Sequence, residues 1–238
     1  MRVSRSSIRL FVFASLALSL LLSPAINPPS AAAAPCPDVQ IVFARGTFEP
    51  PGVGGVGQAF VDSLTSKVGG KSVDVYPVNY PASLDFATAA EGVIDAKNKV
   101  ENVAIICPDT KIVLGGFSQG AAVAGYITAD AVPPGFTLPQ GITLPMPNEV
   151  ADHVAAVALF GKPSNGFLQS INTAAPPITV GSHYSAKTLD LCIPADPICS
   201  PGGGDNGAHN LYPASGMTDQ AADFAAAHVA ASTGARSH

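Results

Sequence analysis

A serine between two glycines is the residue whose surroundings most clearly indicate chemistry in this chain. Residues 116–120 are Gly-Phe-Ser-Gln-Gly, with an apolar strand-like run before them at 112–114 and an alanine-rich, helix-like run after them. In this strand–turn–helix order, a serine hydroxyl is raised above a sheet and acts as a nucleophile. Gly116 and Gly120 leave room for the sharp turn, and the start of the helix supplies free N–H groups for an oxyanion. The sequence therefore predicts Ser118 as a nucleophile; a serine that only caps a helix is the alternative.

A serine hydroxyl is a poor nucleophile until a base accepts its proton, so a histidine is expected further along the chain. In α/β-hydrolases the order is serine, then acid, then histidine. His209 lies in a glycine-rich loop, and loops on a rigid scaffold are the usual carriers of catalytic side chains. The other histidines are less suitable. His153 precedes an apolar strand, and His183 lies in a predicted strand ahead of the candidate acids. His228 belongs to the last helix and His238 ends the chain. We therefore predict His209 as the base.

Three aspartates compete for the role of the acid. Asp196 lies between Cys192 and Cys199, and a disulfide there would fix the carboxylate that orients the imidazole. Asp190 precedes this loop in a run that has the character of a strand. Asp205 lies in a glycine-rich stretch that we expect to be too loose to hold a geometry. The sequence favours Asp196 as the acid. The alternative is that Asp196 is only a turn residue before Pro197.

The first 34 residues have the pattern of a secretory signal peptide. Arginines precede an apolar run at 10–22, and alanines at 31–34 suit a cleavage site. The apolar run is too short to span a bilayer core of about 30 Å. We therefore predict a secreted protein with a signal peptide at 1–34 and one domain at 35–238; an uncleaved N-terminal anchor is the alternative.

The cysteines fit this exported location. An even number of cysteines in an exported chain indicates disulfides, and the four here allow three pairings. The short spacing favours Cys192 with Cys199, which leaves Cys36 with Cys107. A zinc site is the competing interpretation, but the chain has no C-x₂-C spacing. We predict disulfides and no metal.

Charge and hydropathy exclude some classes of partner. Loss of the arginines in the signal peptide leaves 9 basic against 17 acidic residues, a net charge near −8. This charge argues against nucleic acids and anionic membrane surfaces as partners. No later apolar run has the length of a membrane span. We expect a soluble monomer without stable membrane insertion.

Apolar runs that alternate with helical patterns predict a parallel sheet covered on both faces. The predicted strands lie at 39–44, 73–78, 111–116, 155–160 and 178–184, and the predicted helices at 58–68, 84–103, 119–129 and 218–231. Residues 131–150 lack periodicity and predict a loop, longer than most structural connections.

In these motifs the chain resembles the cutinase family, the small secreted α/β-hydrolases of fungi and actinobacteria. Beside the serine pentapeptide, Ala-Arg-Gly-Thr at 44–47 is similar to the first-strand motif of the family. The aspartate between cysteines at 192–199 and the His-x-x-Tyr at 209–212 resemble its later motifs. The matches span nearly the whole mature chain. The resemblance implies an α/β-hydrolase fold, a three-layer sandwich with a central parallel sheet flanked by helices.

The resemblance also implies the roles of the site residues. By this resemblance, the catalytic triad consists of Ser118, Asp196 and His209. The oxyanion hole consists of Thr47 and the backbone N–H of Gln119. The same two disulfide pairs follow the family pattern. Fungal members usually have serine at the position of Thr47 and a shorter loop at 131–150, and in both features the chain resembles the mycobacterial branch.

These observations predict a serine esterase that needs no cofactor. The expected substrates are short- to medium-chain carboxylic esters, including lipids or polyesters such as cutin. The alternatives are a phospholipase or triacylglycerol lipase, and a catalytically silent secreted cell-wall protein on the same fold.

Overall fold

Five short runs of the sequence form one parallel sheet. In the computed structural model its strands are β1 (Val39–Ala44), β2 (Val73–Pro77), β3 (Lys111–Phe117), β4 (Val154–Phe160) and β5 (Thr188–Leu191). Their order across the sheet is β2-β1-β3-β4-β5, and all neighbours are parallel. The strands β1, β3 and β4 are buried along their whole length. This burial explains why their sequences are continuously apolar rather than alternating.

The structure describes residues 35–132, 138, 140–141 and 145–234. The predicted signal peptide at 1–34 lies outside these residues, and so do parts of the predicted loop at 131–150. Among the described helices, none combines the length and the hydropathy that crossing a membrane requires.

Helices cover both faces of the sheet. They are α1 (Gly54–Lys67), α2 (Ala89–Ile106), α3 (Gln119–Ile127), α4 (Asn165–Ile171), α5 (Ser182–Ser185) and α6 (Met217–Gly234). On one face, Phe60 of α1 packs on Phe43 of β1 in a buried cluster that also includes α6. On the other face, Val100 of α2 and Val123 of α3 pack in a cluster with Leu114 of β3. The predicted three-layer α/β architecture is confirmed.

The strand predicted at 178–184 is wrong. Ile178 packs with Ala122 and Leu168 in a small separate cluster, and the chain then turns into α5. The fifth strand begins later, at Thr188, and pairs with β4. A favourable β-propensity did not bring the earlier run into the sheet, because sheet membership depends on the neighbour a strand can pair with.

Most other predicted elements exist with shifted ends. The first helix begins at Gly54, earlier than its predicted start. The helix predicted at 84–103 begins with a 3₁₀-turn, Phe86–Thr88, before α2. The end of the predicted loop at 131–150 enters a 3₁₀-helix, Asn148–His153.

Two disulfides stabilise this fold, one between distant parts of the chain and one within a short loop. Cys36 is bonded to Cys107, which ties the start of the described chain to the end of α2. Cys192 is bonded to Cys199, which closes a short loop directly after β5. Asp196 lies inside this second loop, beside the carboxyl ends of the strands.

Candidate active site

The turn between β3 and α3 holds Ser118 in a strained conformation. Its φ is +54° and its ψ is −118°, values that a non-glycine residue adopts only where the surrounding structure imposes them. A Cβ at Gly116 would lie 2.2 Å from the carbonyl oxygen of Gly120, and a Cβ at Gly120 would lie 2.0 Å from that of Ala44. Both positions therefore require glycine, as the sequence pattern indicated.

Ser118, His209 and Asp196 form a continuous chain of polar contacts. His209 Nε2 lies 2.8 Å from Ser118 Oγ, and His209 Nδ1 lies 2.7 Å from Asp196 Oδ2. Phe117 packs on the imidazole, with ring centroids 4.7 Å apart. The imidazole thus contacts a hydroxyl on one side and a carboxylate on the other, which is the geometry that general-base activation of a serine requires.

Asp196 is fully buried and surrounded by donors. Besides His209, its Oδ2 accepts a hydrogen bond from the Tyr212 hydroxyl at 2.7 Å, and its Oδ1 accepts one from the Ile198 N–H at 2.9 Å. Burial raises the pKa of the Tyr212 phenol, so Tyr212 stays protonated and donates. A buried carboxylate needs such partners, because an unpaired buried charge is costly.

The loop that carries His209 is held more firmly than the sequence suggested. The expectation that Asp205 lies in a stretch too loose to hold a geometry is wrong. Its N–H donates to the carbonyl oxygen of Ala195, and its carboxylate accepts from the Gly207 N–H at 2.8 Å. Asp205 therefore fixes the loop from within, and the carboxylate that reaches His209 belongs to Asp196.

The other candidates lie elsewhere. Asp190 on β5 forms an ion pair with Lys162, with 3.3 Å between Nζ and Oδ2, and burial raises the pKa of its carboxyl. His153 contacts the Pro108 carbonyl oxygen, and His183 is exposed in α5 rather than in a strand.

The last two histidines also lie apart from the serine. His228 packs on Phe224 in α6, and His238 lies outside the described residues.

The two residues predicted to form the oxyanion hole line the cleft that contains Ser118. Gln119 is the first residue of α3, so its N–H has no acceptor within the helix. Thr47 lines the same cleft as Ser118. The Gln119 side chain is buried, with Nε2 donating to the Ser83 carbonyl oxygen at 3.1 Å. Its Oε1 has no hydrogen-bond partner among the described residues.

The turn that carries Thr47 is fixed by its neighbours. The Glu49 carboxylate accepts hydrogen bonds from the backbone N–H groups of Gly46 and Gly55, each at 2.6 Å. The buried guanidinium of Arg45 donates to the Glu49 carbonyl oxygen at 2.8 Å. These bonds hold the backbone on both sides of Thr47.

A glycine after β4 permits the close packing behind the triad. Gly161 has a φ of +57°, and a Cβ there would lie 2.8 Å from the Tyr212 hydroxyl, 3.1 Å from His209 Cε1 and 3.2 Å from Asp196 Oδ2. The backbone at this point approaches all three side chains at a distance that leaves no space for a methyl group.

An apolar cleft of about 690 Å³ opens over Ser118. Its walls come from the segment before α2, from α2 and α3 themselves, and from α4. Phe48 at the cleft is 74% exposed and has a φ of +66°. Its N–H donates to the carbonyl oxygen of Ala82, another residue with positive φ. Leu138, from the described part of the 131–150 segment, also lines the cleft.

The chain is similar in sequence and in fold to known proteins. A family model described as Cutinase matches residues 35–229. Carboxylesterase Culp1 of Mycobacterium tuberculosis is 50% identical over 224 residues, which cover 93% of this chain and 95% of that protein. Phospholipase Culp4 of the same organism is 46% identical over 213 residues, covering 90% of this chain and 87% of that protein. Trichoderma reesei cutinase in complex with a phosphonate inhibitor has 32% identity and a TM-score of 0.60, covering 82% of this chain and 78% of that one.

Three residues around the site were not assigned a role from the sequence. Tyr212 was noted only as part of a spacing, and neither Glu49 nor Gly161 was singled out. A glycine directly after a predicted strand was a signal for Gly161, because such positions often need a positive φ or a close approach. No local pattern identifies the partners of Tyr212 or Glu49.

Proposed function

Because the chain belongs to the cutinase family and is a carboxylic ester hydrolase, we propose that Ser118, His209 and Asp196 form its catalytic triad. The observation that carries the proposal is the chain of contacts from Ser118 Oγ through the His209 imidazole to Asp196 Oδ2. Ser118 lies 91 residues before His209 in the sequence, and the fold brings the two together at the carboxyl end of the sheet.

The proposed mechanism has two acyl-transfer steps. Ser118 Oγ attacks the ester carbonyl carbon while His209 Nε2 takes the hydroxyl proton, and Asp196 stabilises the resulting imidazolium. The tetrahedral intermediate collapses, the imidazolium gives its proton to the leaving alcohol, and an acyl-enzyme remains. Water then attacks this ester with His209 again as the base, which releases the acid and restores Ser118.

The N–H of Gln119 and the Thr47 hydroxyl are the proposed donors to the oxyanion. The N–H is free of helical hydrogen bonding, and the fixed turn around Thr47 supports pre-organisation of the second donor. In other hydrolases the loss of one such donor lowers kcat by about 10²–10³.

The proposed substrates are short- to medium-chain carboxylic esters, including lipids or polyesters with exposed ester groups. The apolar walls of the cleft favour an acyl chain over a sugar or a charged group. The names of the relatives support both a carboxylesterase and a phospholipase. Activity on p-nitrophenyl esters of increasing chain length, compared with activity on phospholipid vesicles, discriminates the two.

The proposal places the mature protein, residues 35–238, outside the cell as a monomer. The two disulfides favour an oxidising location, and the N-terminal sequence has the pattern of a signal peptide. Mass spectrometry of the protein in culture supernatant tests the location and the cleavage near residue 34.

The test of the mechanism is hydrolysis of p-nitrophenyl butyrate by Ser118→Ala. We expect loss of turnover with an unchanged circular dichroism spectrum and an unchanged melting temperature within a few degrees. Ser66→Ala is the matched control, because Ser66 is an exposed serine on α1, and it should retain wild-type kcat. Substantial hydrolysis by Ser118→Ala would refute the assignment.

A further inference from the structure

Tyr212 and His209 donate to the same oxygen of Asp196. The Tyr212 hydroxyl lies 2.7 Å from Asp196 Oδ2, and His209 Nδ1 lies at the same distance from that atom. We propose that Tyr212 is a positioning residue of the triad: its hydroxyl holds the Asp196 carboxylate in place and shares its negative charge. This inference rests on the proposed function, because it assigns a role within the proposed triad.

Hydrogen bonds to both oxygen atoms fix the Asp196 carboxylate. Oδ2 accepts from the two side chains, while Oδ1 accepts from the Ile198 N–H. The Cys192–Cys199 disulfide closes the loop on which Asp196 lies. With the hydroxyl removed, Oδ2 keeps His209 as its single strong donor, and the torsion of the carboxylate is held only by that bond and by the backbone N–H.

The Tyr212 ring is itself held rigidly. It is fully buried, with its ring centroid 5.8 Å from that of Phe117 and 6.1 Å from that of Phe160, both edge-on. The Ile193 N–H points at the hydroxyl oxygen from 3.5 Å, so the hydroxyl hydrogen is directed to Asp196. Full burial also keeps Tyr212 off the surface of the cleft. Its contribution therefore reaches the reaction through Asp196 and His209, without contact with substrate.

Sharing of charge has a predictable sign. A hydrogen bond from a neutral donor spreads the negative charge of the carboxylate and weakens its attraction for the imidazolium. Removal of the hydroxyl therefore strengthens the attraction between the carboxylate and the imidazolium. We expect the acidic limb of the activity profile of Tyr212→Phe to move upward as a result.

The other charged groups near this cluster have partners of their own, which do not include the Tyr212 hydroxyl. Asp190 and Lys162 are paired with each other beside it, and the Asp205 carboxylate is bonded to the Gly207 N–H. Glu49 lines the cleft, with its carboxylate bonded to backbone N–H groups. A change in the His209 titration in Tyr212→Phe is then attributable to the hydroxyl.

The test compares Tyr212→Phe with Tyr184→Phe. Tyr184 is also buried, and its hydroxyl has no hydrogen-bond partner among the described residues, so the control removes the same atom without removing a bond. NMR titration of the imidazole reports the pKa of His209 in the free protein whether or not it turns over. We expect the titration of the imidazole to move upward in Tyr212→Phe and to stay unchanged in Tyr184→Phe.

Kinetics supply the second readout. With p-nitrophenyl butyrate, the acidic limb of kcat/KM should move upward in Tyr212→Phe. At neutral pH its kcat should fall about 10-fold with KM unchanged, which is the signature of misplaced catalytic groups. In an Asp196→Asn background, Tyr212→Phe should no longer change the His209 titration, because the charge to be shared is absent.

The inference and the proposed function fail in different ways. Loss of activity in Ser118→Ala with no change of the His209 titration in Tyr212→Phe keeps the esterase and overturns the role of Tyr212. A Tyr212→Phe protein that only melts earlier, with the wild-type pH profile, also overturns it.

The wild-type protein gives a measurement that does not depend on how the variant folds. The Tyr212 hydroxyl proton should appear as a slowly exchanging, downfield NMR signal that moves as His209 titrates. A signal that does not respond to this titration contradicts the inference.

Discussion

Gly161→Ala should damage the site and the fold by separate mechanisms. The backbone there has a φ of +57°, and an L-residue in the left-handed region costs about 1–2 kcal/mol. For a domain of this size that corresponds to a melting temperature lower by about 2–8 °C. The added methyl group would also lie 2.8–3.2 Å from atoms of Tyr212, His209 and Asp196. These side chains are packed and must shift, and a small misplacement of catalytic groups costs about 10²-fold in rate.

Gly69→Ala separates the two mechanisms. Gly69 has a similar φ of +65°, but a Cβ there meets no atom within 4 Å. Gly69→Ala should lose only the stability that the backbone strain costs, and Gly161→Ala should melt lower still because its methyl group also displaces packed side chains. Only Gly161→Ala should lose kcat on p-nitrophenyl butyrate. A wild-type kcat in Gly161→Ala, or an equal loss of kcat in both variants, would refute the argument from close packing.

Two further predictions concern the supports of the site. Glu49→Gln should lower kcat about 10-fold with KM little changed, because the turn bearing one proposed oxyanion donor loses a charged acceptor for two N–H groups; a change confined to KM would contradict this. Replacing Cys36 and Cys107 by serine should cost about 4 kcal/mol in the free energy of unfolding, and replacing Cys192 and Cys199 about 2.5 kcal/mol, since the bridged separations are 71 and 7 residues. The loss of activity should be larger for the Cys192 and Cys199 double variant, because only this shorter loop holds the acid Asp196. Equal activity of the two double variants, measured well below their melting temperatures, would count against a role of this disulfide in holding the acid.

The sequence predicted the parts of the fold that local pattern controls. The central strands are apolar on both faces, so 39–44 and 155–160 were recognised nearly to the residue. The elbow was recognised because its two glycines leave room for a backbone approach that any side chain would block.

What the sequence could not predict depends on contacts between distant residues. The run at 178–184 has the composition of a strand, but Ile178 packs away from the sheet. The stretch around Asp205 has the composition of a flexible loop, but a hydrogen bond to Ala195 orders it. The partners of Glu49 and Tyr212 are equally invisible in the sequence, because hydrogen bonds leave no periodic pattern.

The central claim is that Ser118 is the nucleophile of this esterase, and covalent labelling tests it most directly. The mature protein is treated with a fluorophosphonate probe, and the modified residue is located by mass spectrometry of its peptides. The account predicts one phosphonyl group, on Ser118, with labelling abolished in Ser118→Ala and strongly slowed in His209→Ala. Absence of labelling in the folded wild-type protein, or a label on another residue, would contradict it.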